Sequence, residues 1–123
     1  MSYKISVSSL ELGETIYVYE LKEKEDGSFI IKKTVGILDF KSKSTVNQTG
    51  RVKVESDYGY YTIHIKGSSM TPNSNKVWTT TENNEKEVYN KFLEYSISRC
   101  NYYERMAEKQ RSKQKLLKEL LKE

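Results

Sequence analysis

Arg99, Tyr102, Arg105 and Lys109 are separated by three, three and four residues. On a helix that spacing gathers them toward one face. A guanidinium is a planar fork that fits phosphate oxygens, and a neighbouring tyrosine ring gives a base something to stack on. Tyr103 adds a second ring beside Tyr102. The chemistry this suggests is capture of a nucleotide, since a long duplex calls for a denser basic surface. The same segment also reads as an ordinary solvated helix surface, because Glu104 and Glu108 flank Arg105. A second aromatic set comprises Tyr58, Tyr60, Tyr61 and Trp78. Tyr61 is expected in the core and Tyr60 on the opposite, exposed face. Trp78 either packs in the core, the usual place for tryptophan, or forms a rim platform for a base.

Catalytic chemistry finds little support. The six glycines are scattered over turns, so no phosphate-cradling loop is expected. One His, one Cys and three Asp leave a metal centre short of ligands, and no metal is expected. A Cys100–His64 nucleophile pair is formally available. But Cys100 falls on an apolar helical stripe, where a small buried thiol is the ordinary occupant. His64 falls on the polar side of a strand. Glu82, Glu85 and Glu87 suit the positive end of a helix dipole better than acid–base work. Asn47-Gln48-Thr49 matches a glycosylation sequon, which carries meaning only in a secreted chain. No catalytic residue and no cofactor is expected, and the chain reads as a non-enzyme.

The elements that must hold these groups fall into two regions. Residues 1–81 read as an antiparallel β domain and residues 82–123 as a helical segment. Strands are expected at Thr15–Leu21, Phe29–Thr34, Val35–Ser42, Arg51–Glu55, Tyr60–Lys66 and Lys76–Thr79, with Gly36 as a bend between the second and third. Turns fall at Glu25-Asp26-Gly27-Ser28 and Asp57-Tyr58-Gly59. Polar loops cover residues 43–50 and 67–75. The N-terminal dozen residues alternate at Ile5 and Val7 and could add a strand. Thr79 and Glu82 have capping-box spacing, and Thr81 or Asn83 could cap instead. The stripe Tyr89, Phe92, Leu93, Ser96, Ile97, Cys100, Tyr103 and Ala107 then predicts an amphipathic helix. Either it breaks near Ser96–Asn101 or its end projects and packs on another chain. Leu116, Leu117, Leu120 and Leu121 are too few to be stable alone and suggest an oligomer contact, with a frayed tail as the alternative. The fold class is therefore α+β: a small sheet or barrel of about six strands, then one long helix or two.

Size and charge agree with a single small domain plus an appendage. The chain has 123 residues and a formal net charge of +4. From Arg99 to Glu123 there are eight Lys/Arg and four Asp/Glu, while the 13 bases and 13 acids of residues 1–98 cancel. The excess charge favours an anionic partner at the C-terminal segment. No apolar run spans a bilayer, no secretory signal is expected, and a lone cysteine fits a reducing cytoplasm.

The order of parts carries a resemblance. Leu12-Gly13-Glu14-Thr15-Ile16-Tyr17-Val18 opens the β region, Val77-Trp78-Thr79-Thr80 closes it, and an acidic helix start follows. This resembles the small β-barrel accessory proteins of phages. With Arg99-Cys100-Asn101-Tyr102-Tyr103-Glu104-Arg105 added, it is similar to the phage Thoeris anti-defence sponge proteins. That resemblance implies sequestration, without cleavage, of a cyclic ADP-ribose-like or cyclic oligonucleotide signal. It also implies assembly through C-terminal helices in the cytoplasm of an infected host cell. Arg105 would be the principal phosphate ligand, with Arg99 and Lys109 assisting, and Trp78, Tyr102 or Tyr103 would hold the base. A lysine at 109 weakens bidentate phosphate clamping. The expected partners are thus a small nucleotide and further copies of the chain, with no membrane. The alternatives are a protein-binding inhibitor of a host nuclease, of the anti-CRISPR type, and a nucleic-acid-binding β-barrel protein.

Overall fold

A computed structural model describes residues 4–43, 46–82 and 85–122. The strands are β1 (Thr15–Glu23), β2 (Phe29–Lys41), β3 (Thr49–Ser56), β4 (Gly59–Lys66) and β5 (Lys76–Thr79). One helix follows, α1 (Glu85–Leu121). The strands form one antiparallel sheet in the order β4-β3-β2-β1-β5. The fold is the expected α+β: among the described residues a sheet of five strands, where about six are expected, stays open and is followed by one long helix. Asn83, one of the expected caps, lies outside the described residues. Thr79 Oγ1 accepts a bond from the Thr81 N–H at 3.2 Å, at the end of β5 and ahead of the helix.

The missing strand boundary has a steric cause. Gly36 does not separate two strands; it lets one long strand run close beneath β3. A Cβ there would lie 2.5 Å from the Lys53 carbonyl oxygen and 2.6 Å from Val52 Cγ1. Further along, β2 pairs Leu38 with Val52 and Phe40 with Arg51, so Asp39 is the extra residue of a bulge. The bulge turns Phe40 to the same face as Ile37 and brings the Asp39 carboxylate onto Arg51. At the β1–β2 turn, Gly27 adopts φ +87°, and Asp26 Oδ1 accepts from the Ser28 N–H at 2.9 Å and its hydroxyl at 2.6 Å.

Period-2 alternation divides the sheet's side chains between two cores. Ile16, Val18, Leu38, Val52, Val54, Ile63, Ile65 and Trp78 fill the inner one, together with Val7 and Leu10 from the N-terminal segment. The described residues of that segment form a 3-10 turn at Val7–Ser9 and a single bridge from Ser6 to Ser68, so they add a plug and not the extra strand. Tyr61, expected in the core, is 41% exposed near the start of β4. On the outer face Tyr19, Met70 and Val77 pack against Val88 and Phe92 of α1, with Tyr17, Leu21 and Ile31 at the margin. Lys33 fastens the same junction. Its ammonium lies 3.9 Å from Glu82, 3.8 Å from Glu85 and 5.5 Å from the Tyr17 ring centroid.

The chain forms two compact units, Met1–Phe92 and Leu93–Glu123. The first two turns of α1 therefore belong with the sheet, beyond the boundary at residue 81 drawn from composition, because Val88 and Phe92 are buried there. The helix is unbroken over 37 residues, about 55 Å at 1.5 Å per residue. Neither Gly nor Pro interrupts it, so the break considered near Ser96–Asn101 does not occur.

Candidate functional site

Two surfaces carry groups able to bind a ligand, one on each unit. The first is the cationic and aromatic stretch of α1. From Leu93 onward every described helical side chain is exposed apart from Tyr95, which is half-buried. Arg99 is held between rings: its guanidinium carbon lies 5.9 Å from the Tyr95 centroid and 5.1 Å from that of Tyr103. Arg99 Nη2 also donates to the Tyr103 hydroxyl at 2.5 Å. Tyr102 meets Tyr103 edge-on, with centroids 5.6 Å apart. At 3.6 residues per turn, Arg105 falls about 120° round the helix from Arg99, with Tyr102 and Lys109 between them.

These residues divide into a ring-backed group and a second flank. Arg105 borders a shallow strip with Ile97, Ser98, Asn101 and Glu104. All of that strip comes from one helix, so within the described residues of the helical unit nothing encloses a ligand there. Arg105 and Lys109 are exposed. Cys100, expected to be buried, is also exposed, with Sγ 3.7 Å from Glu104 Oε1. The correction has a simple cause: past Phe92 the apolar stripe meets no second surface within its own unit. Cys100 belongs to the helical unit and His64 to the sheet unit.

Trp78 occupies a different setting from the other expected ligand residues. It is only 2% exposed and is part of the inner core, so no ring face remains for a base to stack on. Its Nε1–H donates to the Lys66 carbonyl at 2.9 Å. Lys76 Nζ donates to the His64 carbonyl at 3.1 Å. Here β4 and β5, the two ends of the strand order, face each other. The sheet has curled until its edges nearly meet, and side-chain donors bridge the gap that no backbone ladder fills. A cleft of about 430 Å³ opens along this seam, lined by Glu20, Leu21, His64, Lys66, Lys76 and Trp78 and by the turn Asn73–Asn75.

The seam was not visible from the sequence, and neither were two cation–ring pairs on the outer face. Arg51 lies over Phe40 at 5.5 Å and Lys53 over Tyr60 at 4.3 Å. The only available signal was composition, because the pairs depend on strand register and on the bulge. The Arg51 guanidinium also grips Asp39, with Nε–Oδ1 3.0 Å and Nη2–Oδ2 3.3 Å. Those bonds hold the Asp39 carboxyl below its ordinary value. Burial, followed by the field of Glu85, pushes the Tyr19 phenol above its ordinary value, and its hydroxyl has no hydrogen-bond partner among the described residues.

Among the described residues no group of three or more His, Cys, Asp or Glu side chains could hold a metal ion. No described helix is long and apolar enough to cross a membrane. Comparison with known protein families, with curated proteins and with solved structures finds no match to this chain.

Proposed function

We propose that this chain is a non-enzymatic binding protein of the phage counter-defence kind, which sequesters a nucleotide signal at a site completed by further copies of the chain. The observation that carries the reading is the state of α1 beyond Phe92. Leu93, Ile97, Tyr102, Tyr103, Leu116, Leu117, Leu120 and Leu121 are each between 47% and 85% exposed there. A lone helix with so much apolar surface is marginal in water, and a neighbouring helix would cover it. The same stretch holds Arg99 ready against its rings, and Arg105 and Lys109 follow on the adjoining flank. A second helix laid beside this one would supply the wall that a single helix lacks. Phosphates would then meet the arginines in a partly dry setting, where charge-assisted bonds are strongest. Trp78 has no part in this site.

The test pairs assembly with binding. Sedimentation should show a concentration-dependent oligomer that Leu116→Ser with Leu120→Ser weakens. A cyclic ADP-ribose isomer should raise the melting temperature, since a ligand that prefers the folded state stabilises it. Arg105→Ala should abolish the rise. A strictly monomeric protein, or one that no cyclic nucleotide stabilises, overturns the reading. One observation favours a second reading, single-stranded nucleic acid on the outer sheet face: the pairs Arg51–Phe40 and Lys53–Tyr60 place cations beside exposed rings. Oligonucleotide binding that falls steeply with salt and is lost in Tyr60→Ala would select it.

A further inference from the structure

The seam between β4 and β5 holds chemistry that the helical site does not use. The inner face of the sheet changes character along β1: Ile16 and Val18 are fully buried, and the next residue on that face is Glu20, half-buried at the cleft. β5 repeats the change, from buried Trp78 to Lys76. Glu20 and Lys76 are register partners, as Val18 and Trp78 are. The hydrophobic core therefore ends at one level, and a polar mouth begins above it. Lys66 adds a second ammonium from the end of β4, and no carboxylate lies within 4.0 Å of it among the described residues. The far wall is the tight turn Asn73-Ser74-Asn75-Lys76. It is closed by Asn73 N–H to Lys76 O at 2.9 Å and Lys76 N–H to Asn73 O at 3.2 Å, with Ser74 at φ +59°. Its two asparagines are exposed at the cleft and offer both donors and acceptors.

We propose that this cleft binds a small phosphorylated molecule carrying free hydroxyls, of the size of a nucleoside monophosphate. Lys66 and Lys76 receive the phosphate, and the Asn73 and Asn75 amides complete its hydrogen bonds. Glu20, an acceptor only when ionised, takes the hydroxyls. The lone carboxylate among two ammoniums disfavours a polyanion, which would bring charge against Glu20 as well. The volume agrees: about 430 Å³ lies in the lower part of the range for small-ligand sites, too small for an oligonucleotide. The proposal stands apart from the helical site, and Trp78, the only tryptophan, reports on it directly from the cleft floor.

The experiment titrates the full-length protein with AMP, ribose 5-phosphate and inorganic phosphate, read by Trp78 fluorescence and by calorimetry. Saturable binding of AMP and ribose 5-phosphate is expected. Lys66→Ala should weaken both about tenfold, the loss of one charge-assisted bond. Its backbone carbonyl, which holds Trp78, is retained in that variant. Glu20→Gln should weaken the two sugar phosphates and leave inorganic phosphate unchanged or tighter. Arg105→Ala should change nothing at this cleft, which separates the result from the helical site. Asn73→Asp, on an exposed turn, provides a second variant that adds repulsion without touching the core. Absence of saturable binding with all three probes at millimolar concentration overturns the proposal, as does binding unaffected by both Lys66→Ala and Asn73→Asp.

Discussion

Replacing Trp78 by Phe tests the claim that one indole joins the two edges of the sheet. Two losses follow. The Lys66 carbonyl loses the donor now 2.9 Å away. Leaving such a part-buried acceptor unpaired costs about 1–3 kcal/mol. The smaller ring also vacates space in a core where Trp78 is only 2% exposed. At about 0.8 kcal/mol per buried methylene equivalent, the missing part of the indole adds about 1–2 kcal/mol. The sum, about 2–5 kcal/mol, is a large share of the 5–15 kcal/mol typical of a folded domain. It corresponds to a fall in melting temperature of at least about 8 °C for a unit of this size. Far-ultraviolet circular dichroism is the appropriate readout, because the variant lacks the fluorophore. Lys76→Met removes the other bridge, an exposed bond to the His64 carbonyl, and should cost under about 1 kcal/mol. If Trp78→Phe melts within a degree or two of wild type, the seam does not hold the edges together and the account of the cleft fails with it.

Three further outcomes are expected. Gly36→Ala should destabilise by about 1–3 kcal/mol or more, the range for overpacking, since its Cβ would press 2.5 Å from the Lys53 carbonyl oxygen; equilibrium denaturation that shows no loss refutes the close approach. Lys33→Ala should cost under about 1 kcal/mol at low salt and less at high salt, because its Glu82 and Glu85 partners are largely exposed; a cost insensitive to salt would point to packing instead. The Asp39 carboxyl is held low in the folded state, so its contribution to stability is present above the ordinary aspartate range and lost as pH falls through the lowered value. Asp39→Asn should therefore flatten part of the acid limb of the stability–pH curve, and NMR titration should find Asp39 below the ordinary aspartate value.

Local signals in the chain were enough to draw most of the elements. Asp26-Gly27 marked the first turn, and Gly59 at φ +118° justified the second. Alternation in β1 puts Ile16 and Val18 on one face, and the structure shows that face to be the inner one. The helix start followed from the absence of Gly and Pro after a run rich in Thr and Glu. The helical candidates Arg99, Tyr102, Tyr103, Arg105 and Lys109 were placed by helical spacing, which needs no knowledge of the rest of the fold.

What spacing alone does not fix is which surface meets which. Gly36 looks like a strand break until β3 is seen lying against it. Strict alternation would set Phe40 beside Leu38, and only the bulge at Asp39 reverses it and creates the Arg51 pair. Cys100 sits on an apolar stripe, but burial requires an opposing surface, and the stripe runs past the end of its own. Trp78, His64, Lys66 and Glu20 come from three strands, two of them at opposite ends of the sheet order, and only the curl of the sheet brings them to one cleft. The chain by itself determined period, turns and the sign of charge, because those act over a few residues. Register, burial and the closing of one edge on another were decided by tertiary structure, because they depend on contacts between residues far apart in the chain.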